Sequence, residues 1–544
     1  MNYKKVMTCA MAMTMVAGCS SGSASTSSSK SGTPGATPVK IAIENDMNTM
    51  DSSTATDGSS LSLIEFCQSG LTQNGTDGKS TGDLAESWDV SEDGKTYTFH
   101  LRDGIKWSNG TPITADDFVY GFQRLVDPDT ASEYNYLATA VNIENAADVI
   151  SGDKKPEELG VEATDDSTFV VHLSAPCSFF VSLLSFPEFF PLNKDYVESK
   201  GDQYALSPDD MIYSGIYTMT DWQQGNSYTF THNDQYWDAD NYKQQEIVVQ
   251  FSQEIQSTVM EYEQGNVDYV ALSGEMVDMY KDDPGFQNIS QASVWYLCYN
   301  MDDASLYNEN LRRAIGYSIN RDSITDDVLK TGATAIDGLV GKGVVENSEG
   351  TDFRDIAGSY ETYDPDKAAE YYKKAVAELG EDPTVEILYD NASDSTKMAE
   401  NIQQMIETAC DGIKVTLSPE PKKTRIQMMF AQDFSIGLTR WGPDYADPQS
   451  YLDLFTTGAS MNFGNYSNAD FDALETKATK GEDVNDSDKR LEDMAQAERI
   501  LIEDDAAIAP ICQEGGAILI NHDVEGYIPL VIGAGSWRHF TKKY

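Results

Sequence analysis

Trp441 stands three residues before Asp444 in Leu-Thr-Arg-Trp-Gly-Pro-Asp-Tyr-Ala-Asp-Pro, residues 438–448. Gly442, Pro443 and Pro448 make this stretch turn-rich, so a ring and a carboxylate share one constrained loop. That pair suits a cation, because the ring face attracts it and the carboxylate bonds to it. A peptide's amino terminus is such a group. Tyr445 extends the same loop, and Asp447 before Pro448 reads as the residue that fixes it. By residue type alone, an Asp in a Gly-Pro loop is also an ordinary turn residue, and Trp441 also a core aromatic.

Other chemistries find less support. The stretch HExxH is absent, and the five histidines (His100, His172, His232, His522, His539) are scattered. The chain has 89 Asp and Glu, so carboxylate pairs arise by chance and do not mark a hydrolase. No GxxxxGK[ST] stretch exists to cradle ATP phosphates. Asp483-Val-Asn485-Asp-Ser487 starts like a calcium loop. Its sixth position is Asp488 instead of Gly and its twelfth is Met494, so calcium is rejected. No metal or cofactor is expected.

The first residues read as an export signal. Lys4 and Lys5 precede an apolar run from Val6 to Ala17, too short to span a bilayer as a mature helix. Val16-Ala17-Gly18-Cys19 looks like a bacterial lipobox, with Cys19 acylated as the new first residue. Residues 19–38 are mostly Ser, Gly, Thr, Ala and Pro, the composition of a flexible tether. Loss of residues 1–18 takes away two lysines and no acid, moving the net charge from −51 to −53. Such a surface repels nucleic acid and anionic lipid. The remaining 526 residues suffice for two or three domains. Cys67, Cys177, Cys298, Cys410 and Cys512 are widely spaced without a CxxC pair and read as buried thiols.

Elements must hold the loop. Residues 88–107 read as short strands, with Tyr97, Phe99 and Leu101 alternating and Asp-Gly or Asn-Gly reversals at 93, 103 and 109. Thr114 to Asp117 resembles a capping box that opens a helix through Phe118, Phe122 and Leu125. Phe169–Leu173 and 213–251 read as further strand regions. From about residue 310 the pattern becomes α/β. Asp364-Pro365 starts a helix that ends before Gly380, Thr384–Tyr389 reads as a buried strand, and Met398 to Ala409 as a helix. Val415 and Leu417 mark another strand, and Leu491 to Ile502 a last helical stripe.

Several blocks carry a family resemblance. They are Asp83–Trp88, Ser91–Phe99, Leu101–Trp107 and Asn109–Phe118, then Ser214–Tyr217, Asn233 with Tyr236-Trp237, Leu311–Ile315 with Ile319–Arg321, Trp441–Pro448 and Tyr466–Asn468. In this order they resemble the extracytoplasmic solute-binding proteins of family 5, the oligopeptide- and dipeptide-binding components of ABC importers. The resemblance covers nearly all of residues 40–540. It implies an α/β clamshell of the type II periplasmic-binding-protein class, with an additional inserted α+β domain. Lobe I is then expected at 39–82, 205–293 and 512–544, the inserted domain at 83–204 and lobe II at 294–511.

It also implies a monomeric binder, not an enzyme, lipid-anchored outside the cell membrane. The protein would pass peptides to an ABC permease driven by cytoplasmic ATPase subunits. An oligosaccharide or a nickel chelate is the alternative solute, and a secreted hydrolase the more distant rival. Asp444 falls at the family aspartate that pairs with the peptide ammonium, with Trp441 and Tyr445 beside it. Trp295 and Tyr296, where the chain crosses between lobes, either line the cleft or pack the hinge. Three positions depart from the family. Ser69 stands where a Glu is frequent, Leu438 replaces an arginine of some oligopeptide binders, and Lys422 stands near their pocket tryptophan. The partner of the ligand carboxylate is left among Lys422, Lys423, Arg425 and Arg440.

Overall fold

Among the described residues, one mixed sheet carries eleven strands and runs through both halves of the molecule. The computed structural model describes residues 33–75, 80–252, 254–360, 362–443, 445–532 and 535–544. Cys19, its lipobox and Asp444 therefore lie outside the described residues. So does the tether up to residue 32.

At one end of the sheet, Thr384–Asp390 pairs in parallel with Lys414–Glu420 and with Ile436–Trp441. At the other end, Val39–Ile43 pairs in parallel with Glu246–Phe251 and, at Ile41, with Tyr269 of Tyr269–Leu272. Two long strands join the ends. Phe286–Tyr299 and Ile508–Ile520 pair antiparallel over most of their length. Their first stretch, Phe286–Ser290 against Gly515–Leu519, adjoins Tyr269–Leu272. Their second, Val294–Cys298 against Ile508–Gln513, adjoins Ile436–Trp441. The register breaks between Ser290 and Val294, where the chain passes from one half to the other. Gly515 sits at this crossing because any Cβ there would collide with the Gly332 carbonyl oxygen.

Local sequence signals account for the flanking helices. Asp364 accepts a hydrogen bond from the Lys367 amide, Pro365 opens the helix Pro365–Leu379, and Gly380 ends it at φ +83°. The Asp117 carboxylate accepts from the Thr114 amide at 3.0 Å and from Trp107 Nε1 at 3.2 Å, so one acid caps Ala115–Val126 and anchors the preceding turn.

Period-two alternation gives Phe286–Tyr299 two buried faces in the second lobe. Trp295, Leu297 and Tyr299 face one core, while Val294, Tyr296 and Cys298 face the other. A separate four-stranded sheet, in the order Ala85–Val90, Thr96–Leu101, Thr168–His172 and Val161–Asp165, carries its own core. There Phe99, Phe118, Phe122, Phe169 and Phe180 are fully buried, each stabilising by roughly 1.5–3 kcal/mol. The five described cysteines are free and buried. Burial pushes the thiols of Cys177, Cys298, Cys410 and Cys512 up to about 12, so they stay protonated and inert.

Candidate functional site: a cleft between the lobes

Parallel strands of both halves end on the same feature. Ile43 and Phe251 on one side, and Asp390, Glu420 and Trp441 on the other, are carboxyl ends facing the crossing pair. In open α/β sheets that is where ligands collect, because loops and helix amino termini converge there. On the first lobe these ends enclose a cavity of about 720 Å³, with Gln291 of the crossing strand among its lining residues. Glu44, Asp46 and Asp57 line it, along with the rings of Tyr269 and Trp537. Sequence reasoning missed this wall. The one local signal was Asp57 as a helix cap: it accepts from the Ser60 amide at 2.8 Å at the start of Gly58–Cys67.

On the second lobe, Trp441 ends its strand opposite Val294 of the crossing pair. Its ring packs partly buried on the lobe core, and Nε1 donates to the Ser450 carbonyl at 2.7 Å. The loop after it is held from behind. Arg490 binds Asp447 through two bonds of 2.7 Å, and both side chains are almost wholly buried. Ser178 of the inserted domain donates to Asp447 at 3.4 Å, and Tyr445 stacks on Phe179. Asp447 thus anchors the loop, in keeping with its reading as a structural residue.

The remaining candidates divide clearly. Trp295 is buried, donates from Nε1 to Glu514 at 2.9 Å and lies 5.7 Å beneath Arg440, which also bonds Glu514. Tyr296 is core, edge-on to Phe455. Both rings thus belong to buried clusters of the second lobe. Arg425 is consumed by Asp390 at 2.8 Å and Thr439 at 2.7 Å. Lys422 and Lys423 begin the helix Lys422–Phe430 beyond Glu420 and are exposed.

Ser69 requires a correction. It is fully buried and lines no wall of the cavity, because its hydroxyl accepts from Arg538 at 2.9 Å. Arg538 also binds Asp83 at 3.1 Å, and Asp83 further accepts from Tyr236 at 2.6 Å and Trp237 at 2.9 Å. Burial opposes the Arg538 charge, but Asp83 together with Tyr236, Tyr242 and Glu65 more than offsets it and holds the guanidinium above its ordinary range. This cluster ties the inserted domain to the first lobe.

Comparison with known proteins agrees with this architecture. The pattern of the bacterial extracellular solute-binding proteins, family 5 Middle, matches residues 79–463. The dipeptide-binding protein of Lactococcus lactis is 34% identical over 505 residues, covering 90% of this chain and 91% of the relative. The peptide-bound OppA structure of Listeria monocytogenes is 34% identical, with 93% and 99% coverage and a TM-score of 0.71. The unliganded open form of the periplasmic murein tripeptide-binding protein MppA is 26% identical, with 94% and 99% coverage and a TM-score of 0.81.

Proposed function

The chain belongs to the bacterial extracellular solute-binding proteins of family 5, and on that premise we propose that it captures peptides between its two lobes and delivers them to an ABC importer. The observation that carries this reading is the cleft itself. Parallel strand ends from two separate cores face each other across one pair of crossing strands, so a ligand between them touches both lobes. Closure then follows from differential binding, because only the closed state makes both sets of contacts. The higher TM-score to an open form, despite lower identity, supports reading the present arrangement as open.

An extended peptide gains affinity through its main chain, whatever its sequence, and water-filled pockets adapt to its side chains. Asp444 is assigned to the ammonium end, a charge-assisted bond worth roughly 1.5–3 kcal/mol. Trp441, pinned through Ser450, supplies a rigid ring beside it. Arg425 and Arg440 already have internal partners, so Lys422 and Lys423 are the cations assigned to the carboxylate end. Cys19 is assigned to the lipid anchor that keeps the protein, a monomer and not an enzyme, near its permease outside the cell membrane. We divide the chain into lobes and inserted domain at the boundaries given above.

The test is mass spectrometry of ligand released from protein purified without denaturant, followed by calorimetric titration. Peptides should be released, and free-amine peptides should bind more tightly than acetylated ones. Asp444→Ala should erase that difference. Release of an oligosaccharide, a chelate or a bile salt, with no peptide binding on titration, would overturn the reading.

A further inference from the structure

We propose that the first-lobe wall of the cleft selects for positive charge, so that peptides carrying a lysine or arginine side chain are the preferred ligands. This rests on the peptide reading and adds the charge of the side chain that the cavity takes. Three carboxylates, Glu44, Asp46 and Asp57, line the cavity of about 720 Å³, and no Lys, Arg or His is among its lining residues.

The partners of these acids are neutral. Asp57 accepts from the Ser60 amide, the Ser60 hydroxyl at 2.7 Å and Asn48 Nδ2 at 3.0 Å. Asp46 accepts from the Tyr228 hydroxyl and the Met47 amide. Glu44 is exposed and makes no hydrogen bond or ion pair with the described residues. Two other acids of the same lobe do have cationic partners: Asp51 pairs with Arg124 at 2.6 Å and Asp268 with Lys542 at 2.8 Å. The cavity thus gathers three carboxylates that have no cationic partner among the described residues.

The helix Gly58–Cys67 points its amino terminus here, which alone would favour an anion. Asp57 caps that terminus and reverses the local sign. The aromatic lining completes a cation site. Phe251, Tyr269 and Trp537 add aromatic lining beside which an aliphatic stem can pack. Closure of the second lobe excludes water and strengthens each charge–charge contact.

The experiment is calorimetric titration of the full chain with free-amine tetrapeptides of alanine carrying one Lys, Glu or Ala at each position in turn. At one position or more, the lysine peptide should bind roughly tenfold tighter than its glutamate counterpart. That ratio should shrink in Glu44→Gln and in Asp46→Asn, with circular dichroism checking that both variants are folded, and it should fall with added salt. If alanine peptides bind but lysine and glutamate are equivalent at every position, the inference is wrong and the peptide reading stands. An undiminished ratio in both folded variants also overturns it. If none of the peptides binds, the peptide reading fails and takes this inference with it.

Discussion

The Tyr445 ring lies flat on the Phe179 ring, with centroids 3.8 Å apart and planes within 8°. Phe179 lies in the core of the four-stranded sheet and Tyr445 in the loop that follows Trp441, so this stack joins that core to the second-lobe wall of the cleft. A second contact lies nearby, where a Cβ on Gly94 would come within 2.7 Å of Asn485 Oδ1. The inserted domain is therefore fastened to the first lobe through Asp83 and Arg538, and rests on the second through Tyr445.

The stack should be measurable as a coupling. In a double-mutant cycle of Phe179→Leu and Tyr445→Leu, urea denaturation should give an interaction energy of about 0.5–1.5 kcal/mol. Strict additivity would show that the rings touch without contributing.

The Arg490–Asp447 pair should be costly to break. Arg490→Met strands a buried carboxylate, so a loss of about 3–5 kcal/mol is expected in denaturation midpoints. Adding Asp447→Leu should restore part of it, because the carboxylate that Arg490 bound is then removed as well. A double variant that is less stable than Arg490→Met would contradict this account of the pair.

Much of this framework was legible in local sequence. Asp364, Pro365 and Gly380 bounded their helix through capping chemistry that acts within four residues. Alternation exposed the strands around Phe99 and Phe169, because each turns alternate residues into one core, although Val170 on the other face is buried as well. Contacts between distant residues were not legible. Ser69 meets Arg538 across 469 positions and Asp83 meets it across 455, and no periodicity reports such encounters. Trp295 and Tyr296 could not be assigned to cleft or hinge because the second-lobe sheet is covered on both faces, which buries successive residues alike. The acidic wall was missed because Glu44, Asp46 and Asp57 look like ordinary loop and cap residues until the sheet brings them together.

Ser69→Ala tests the correction directly. Removing one acceptor of Arg538 should cost about 1 kcal/mol of stability and leave peptide affinity unchanged. A clear loss of affinity without loss of stability would return Ser69 to the binding site.

Glu188 predicts a pH dependence. It is buried, and neither carboxylate oxygen has a hydrogen-bond partner. Burial, with Glu65 nearby, holds its carboxyl well above its ordinary value of 4.5. Below pH 4.5 both folded and unfolded chains carry the proton, so the group costs nothing there. As pH rises further the unfolded chain releases its proton first, and stability falls until the folded value is passed. Glu188→Gln should therefore raise the melting temperature at pH 8 and leave it nearly unchanged at pH 4. Equal effects at both pH values would refute the assignment.

Capture by closure is tested most directly by small-angle X-ray scattering during titration with a peptide that calorimetry shows to bind. The radius of gyration should fall as peptide is added and level off at one peptide per chain. Saturable binding with an unchanged radius of gyration would contradict the account, because the ligand would then not be drawing the two lobes together.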